Sequence, residues 1–181
     1  MCTLIVLHRC VEASPLLVAA NRDEYFERPA EGPALRDVPT ATGSAKVLAP
    51  RDVREGGTWL GLNEHGLFAA LTNRRCAAPD PNRRSRGLIV TDALTAARAR
   101  DAAEMIESLE ADAYNPFNLL VADRETAHVF SYEGKPERID LEPGPHVIGN
   151  VHPRDTTSPK IARLRDEVAT AMTRPAAEIP A

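Results

Sequence analysis

The sequence predicts an antiparallel α+β fold, and three features carry that expectation. Short β-branched and apolar runs open the chain, two helical segments follow one another near its middle, and further strand-like runs come after them. Strands, then adjacent helices, then strands again exclude regular βαβ alternation and leave sheets and helices in separate layers. The 181 residues suit a single domain, 1–181, because one core usually serves roughly 50–250 residues.

Taken in order, residues 3–8 (Thr-Leu-Ile-Val-Leu-His) read as a buried strand. Ser14-Pro15 marks a turn, and residues 16–21 read as a second strand that pairs with the first as a hairpin. Chain ends usually fray, so an apolar strand from residue 3 ties this one into a sheet. From Tyr25 to about Ser44 the pattern is broken by Pro29, Gly32, Pro33, Pro39 and Gly43, which predicts a surface loop folded over a site. Trp59 and its neighbours form the next strand, His65-Gly66 a tight turn, and residues 67–72 the returning strand. Residues 87–98 and 102–110 carry apolar side chains at helical spacing. Strands are expected at 118–122, 126–132, 137–141 and 145–150, and Pro159 starts a last helix to about Met172. Pro175 and Pro180 predict a frayed end.

Composition narrows the function. With 22 basic against 26 acidic residues the net charge is −4, which argues against a dedicated nucleic-acid binder. No apolar run approaches the ~18–20 residues of a membrane span. The opening apolar run has no basic region before it and no small-residue cleavage site behind it, so no secretory signal is read and the cytoplasm is the expected compartment. Cys2, Cys10 and Cys76 show no metal-ligand spacing and the five histidines are widely spread, so no metal is expected. The sequence gives no indication of oligomeric state.

The chemistry sits at the start. Once Met1 is removed, as the small side chain behind it leads one to expect, Cys2 carries a thiol and a free α-amino group on one residue. An amine titrating near ~7.7–8.0 then lies beside a thiol near ~8.5, a nucleophile with its own base. Asn21-Arg22-Asp23-Glu24 follows at the end of the second strand. Arg22 would lower the thiol pKa. Asp23 either holds the amine or closes a turn after the strand. Asn73 ends a hairpin strand, where it either stabilises an oxyanion or terminates the strand. Trp59, the sole tryptophan, lies between glycines and suits packing. Five arginines between 74 and 86 form either a solvated loop or a site for an anionic ligand.

These motifs together resemble the NRDE family, which is named for the tetrad and includes the transport and Golgi organization 2 proteins. The resemblance rests on Met1-Cys2, Asn21-Arg22-Asp23-Glu24, Gly56-Gly57-Thr58-Trp59-Leu60-Gly61 and Leu71-Thr72-Asn73, then Ser85-Arg86-Gly87 and Tyr114-Asn115-Pro116-Phe117-Asn118-Leu119. It implies an N-terminal nucleophile hydrolase-like αββα sandwich, two antiparallel sheets between helical layers. By likeness to choloylglycine hydrolases and penicillin V acylases it implies amide cleavage by Cys2, with Asp23, Arg22, Asn73 and Asn150 as further catalytic residues. Asn21, Glu24, Trp59 and Arg74 are the implied ligand-binding residues. In those hydrolases an arginine precedes the asparagine of the second strand, and aligning Asn21 and Asp23 to them puts Ala20 at that place, with Arg22 two residues on. Family members commonly run past the last helix with further strands, so this chain is read as a short member or a fragment. The resemblance also carries a second reading: a non-enzymatic carrier of haem or acyl lipids, with haem as transported ligand. No cofactor is expected.

Overall fold

The computed structural model describes residues 2–11 and 14–173. In chain order these form β1 (Thr3–Val11), β2 (Ser14–Asn21), β3 (Ala30–Thr40), β4 (Gly43–Asp52), β5 (Leu60–Asn63) and β6 (Phe68–Asn73). Helices α1 (Arg86–Ala93) and α2 (Ala99–Glu107) follow, then β7 (Phe117–Ala122), β8 (Ala127–Tyr132), β9 (Pro136–Asp140), β10 (Gly144–Ile148) and α3 (Pro159–Met172). The strands make two antiparallel sheets: a small one ordered β10-β1-β2, and a large one running β3 through β9 in chain order.

Alternation across the large sheet decides the layering. Ala69, Leu119, Val121 and Phe130 point to one face and pack with Ile89 of α1, Leu94 at its C-terminal cap, and Ala103 and Ile106 of α2. Ala70, Leu120, Ala122 and Val129 point to the other and meet Leu4, Val6 and Ile148 of the small sheet. Both faces of β7 and β8 are therefore covered, which is why these strands are buried at every residue. Helix α3 lies against β10 and closes the fourth layer. The αββα order expected from the resemblance is what the chain adopts. The small sheet has three strands against seven, so β10 and β2 are its edges. On the same side of the large sheet, Leu35, Leu48 and Leu62 sit on three neighbouring strands and are exposed.

The expected loop from Tyr25 to Ser44 is mostly a hairpin, β3 with β4. Strand β3 is the edge of its sheet, so Pro33 and Pro39 can lack an N–H without costing a ladder on both sides. The register with β4 shifts between Glu31 and Ala34, absorbing Gly32-Pro33. Most β3 side chains are exposed, and such a strand carries no apolar period to read. Only residues 22–29 remain as an irregular connection. Helix α1 ends five residues earlier than the apolar spacing suggested, and α2 begins three residues earlier, at Ala99. Arg98 offers α2 no side-chain cap; the Ala99 N–H donates instead to Asp123 Oδ2 at 2.8 Å, a partner 24 residues away. The other expected strands and the helix from Pro159 are present to within three residues. Pro175 and Pro180 lie outside the described residues. Among the described residues no helix is long and apolar enough to cross a membrane.

Asn63 fixes the central hairpin. Its Oδ1 accepts from His65 N at 3.0 Å and Leu67 N at 2.9 Å, closing the turn around Gly66, whose φ of +84° favours glycine. Its Nδ2 donates to Leu94 O at 3.0 Å and Ala96 O at 2.7 Å, so the same buried amide moors the hairpin to the end of α1.

Candidate active site

Strand β1 is the middle of the small sheet, and Cys2 stands directly before it. Leu4 and Val6 point from β1 into the space between the sheets. By alternation Cys2 points the same way, into the open end of that space. The β1–β2 register pairs Thr3 with Asn21 and Leu4 with Ala20. One step further sets Cys2 across from Arg22. The geometry thus puts the arginine at 22, and not a residue at 20, opposite the thiol.

Cys2 borders a small hollow of about 60 Å³ against Leu4, Arg22 and Trp59, and two larger ones. One, of about 250 Å³, is also lined by Arg22, Glu24, Trp59 and Asn73. The other, of about 300 Å³, lies toward Asn150, Arg75 and the start of α3. The thiol is half-buried, and Sγ lies 3.9 Å from the carbonyl oxygen of Asp23. Burial pushes the thiol pKa up, while the positive chain terminus and Arg22 pull against it. Arg22 stacks over the Trp59 ring, its guanidinium carbon 4.1 Å from the centroid, and lies 3.7 Å from Glu24. Trp59 therefore forms a platform for the arginine as well as part of the packing.

The other predicted residues divide. Asn73 lines the 250 Å³ cleft, and its side-chain amide has no hydrogen-bond partner among the described residues. Asn150 stands behind it, donating from Nδ2 to the Asn73 carbonyl while its own Oδ1 is buried without a partner among the described residues. The expected second oxyanion donor is thus engaged in holding the first. Asp23 Oδ1 accepts from Asn21 Nδ2 at 2.8 Å, so the tetrad braces itself, and it is the Asp23 backbone that faces the sulfur. Glu24 sits between Arg22 and Arg28. Arg74 is committed elsewhere, to Glu133 at 2.8 Å and Ser131 Oγ at 3.1 Å, and does not line the cleft.

Two groups in the cleft, Arg28 and Asp52, lie outside the residues singled out from sequence, and a third, Arg86, was expected only as one of five arginines forming a solvated loop or an anion site. Arg28 Nη2 donates to Asp52 Oδ2 at 2.6 Å. Burial pushes the Asp52 carboxyl up, but the Arg28 hydrogen bond and charge outweigh it and hold the group below its usual range. Arg86 belongs to Ser85-Arg86-Gly87, one of the motifs that carry the family resemblance. It reaches the cleft because Gly57 and Gly87 let two backbones touch: Thr58 N donates to Gly87 O at 3.1 Å, and a Cβ on Gly57 would stand 2.3 Å from the Gly87 carbonyl carbon. Those glycines serve close approach.

The charge of Arg22 on the thiol can be measured. In Arg22→Leu, alkylation of Cys2 by iodoacetamide should need a higher pH than in the parent, because burial then acts with one fewer opposing cation. The pH–rate curve followed by peptide mass spectrometry should move to higher pH. An unmoved curve would remove Arg22 from the site.

Two antiparallel sheets between helices, with a cysteine at the head of the central β1 strand, define an N-terminal nucleophile hydrolase-like fold. Solved structures agree. An N-acylethanolamine-hydrolyzing acid amidase ortholog from Caenorhabditis elegans superposes with a TM-score of 0.67 at 13% identity, covering 93% of this chain and 79% of that one. Penicillin V acylase from Agrobacterium tumefaciens gives 0.52 at 15% identity, covering 98% and 59%. A family model described as Transport and Golgi organisation 2 matches residues 1–178, and the chain belongs to that family. The Homo sapiens transport and Golgi organization protein 2 homolog is 37% identical over 145 residues, 75% of this chain and 50% of that protein. The chain thus spans about half the length of the curated relatives it matches.

Proposed function

We propose that the protein is an N-terminal-cysteine amidohydrolase acting on a compact substrate. The observation that carries this reading is the meeting of Cys2, Arg22 and an unengaged Asn73 amide in one cleft. With Met1 removed, the amine of Cys2 takes the thiol proton and Sγ attacks the amide carbonyl. A C–S bond forms, and the carbonyl π pair moves to oxygen, facing the Asn73 amide. The C–N bond then breaks, and its electron pair takes the proton from the ammonium, releasing an amine. Water, deprotonated by the same amine, attacks the thioester; the C–S bond breaks, and the acid leaves with the thiol restored. The neighbours named above are an amidase ortholog and an acylase, which supports this chemistry on a fold that hosts it.

The two larger hollows, about 250 and 300 Å³, stand at the small end of ligand pockets, which run from about 300 to 1,000 Å³. They suit a compact amide better than a haem macrocycle, so the carrier reading ranks second. The cytoplasm remains the proposed compartment, on the three free cysteines. Mass spectrometry tests the proposal. The purified protein should begin at Cys2, and after brief exposure to a panel of small amides should carry an acyl mass on that residue. Retention of Met1, or no adduct and no cleavage across the panel, would defeat it.

A further inference from the structure

Three cations face two carboxylates in the Cys2 cleft: Arg22, Arg28 and Arg86 against Glu24 and Asp52. The pairing is uneven. Asp52 holds Arg28, and Glu24 lies 3.7 Å from Arg22 and 3.9 Å from Arg28. Arg86 has no carboxylate within ion-pair distance among the described residues; its recorded hydrogen bond runs from Nη1 to the Pro116 carbonyl at 3.2 Å. A guanidinium has five N–H donors in a planar fork, so most of its capacity is unspent. Burial pulls the Arg86 pKa down and repulsion from Arg28 acts in the same sense, while the charges of Cys76, Glu24 and Cys2 pull it up without outweighing burial. Holding a half-buried cation beside another costs free energy that no ion pair among the described residues returns, whereas an incoming anion would.

We propose that Arg86 binds a carboxylate of the substrate, so that the cleft selects compact amides carrying one negative charge near the scissile bond. This rests on the hydrolase reading for the reaction but not for the binding. A carboxylate matches the guanidinium fork with two parallel hydrogen bonds. The single unanswered positive charge matches a monoanion, and Glu24 and Asp52 oppose a phosphate dianion. The thiolate is the competing claimant for Arg86. Arg22 leads among the side-chain cations acting on the thiol. Cys76 and Cys2 act on Arg86 through charge, while its hydrogen bond goes to the Pro116 carbonyl, so the rest of its fork stays open to an anion.

Binding to the Cys2→Ala protein, which cannot turn the ligand over, separates recognition from chemistry. Two matched pairs serve as probes: N-hexanoylglycine with its methyl ester, and N-propylsuccinamic acid with its methyl ester, placing the charge on either side of the amide. At least one acid should bind about 10-fold or more tighter than its ester by calorimetry, as expected for a charge-assisted pair of about 1.4 kcal/mol or more. Arg86→Gln in the same background should reduce that preference to about 2-fold, and Arg86→Lys should keep part of it. Equal binding of acid and ester, or a preference that survives Arg86→Gln, overturns the proposal. The acid–ester comparison needs no variant at position 86, so a folding defect there leaves the test intact. An Arg86-dependent preference in a protein that cleaves none of the four probes would sustain the carboxylate site while counting against the hydrolase.

Discussion

Cys2→Ala should lower amide cleavage by a factor of about 10⁴ or more in kcat/KM with an unchanged fold. Alanine is small enough for Met1 removal, so the variant keeps a free α-amino group at residue 2 and loses only the sulfur. What remains is binding and oxyanion stabilisation without a nucleophile, and loss of the attacking atom in comparable hydrolases costs on the order of 10⁶. Asn73→Ala should cost less, about 10²–10³, with the loss in kcat, because the amide meets charge that develops only in the transition state. Cys10→Ala is the control: its Sγ lies 3.5 Å from the His8 carbonyl within β1, away from the cleft, and cleavage should change by less than about 3-fold. Steady-state rates on any amide the parent cleaves decide the ordering. Equal activity of Cys2→Ala and the parent would move the chemistry elsewhere or abolish the claim of it.

How much of this was visible in the chain depends on range. Strands β7 and β8 are buried throughout and mostly apolar, and were legible with nearly correct bounds. So was the central hairpin, where Asn63 and Gly66 impose the turn locally. The β3–β4 hairpin was not, because its outer strand is an exposed edge whose stability comes from pairing and not from burial. The start of α2 was hidden for a related reason, its capping carboxylate lying in the turn between β7 and β8. At the site, Cys2, Arg22 and Asn73 could be named from motifs, since each ends or begins a strand at one end of the sheets. Arg28, Asp52 and Arg86 depend on tertiary approach, through the irregular 22–29 connection and the Gly57–Gly87 contact. The five arginines between 74 and 86 looked alike in sequence, yet Arg83 pairs with Asp112, Arg84 with Asp92 and Arg74 with Glu133. Only their surroundings distinguish Arg86.

Asn118 offers the largest expected stability effect from a change of a single atom. It is fully buried, and its Nδ2 donates to Gly149 O at 2.9 Å and Val151 O at 2.8 Å, gripping the backbone on both sides of Asn150. Thr72 Oγ1 adds a third bond to Gly149 O, and Asn118 Oδ1 accepts from Ser131 Oγ. Thr72, Asn118 and Ser131 are cross-strand neighbours on β6, β7 and β8, so one polar row anchors the segment that steadies Asn73. Asn118→Asp keeps the shape but turns two donated bonds into a carboxylate facing two carbonyl oxygens. The cation within reach is Arg74, one hydrogen bond away through Ser131 and already paired with Glu133. The new carboxyl should therefore have a folded pKa well above its unfolded value of about 3.9. A raised folded pKa favours the native state at low pH and penalises it as pH rises through that value. The variant should lose about 3–5 kcal/mol at pH 7, more than the roughly 2–3 kcal/mol of Asn118→Ala. It should recover part of that at pH 5, where a protonated acid can donate one of the two bonds. Urea unfolding of parent and both variants at the two pH values reads this directly. A carboxylate variant that is as stable as the alanine variant at pH 7, or whose deficit does not shrink at pH 5, would mean that the row does not bear on the 149–151 segment. Asn73 would then be placed by its own strand alone.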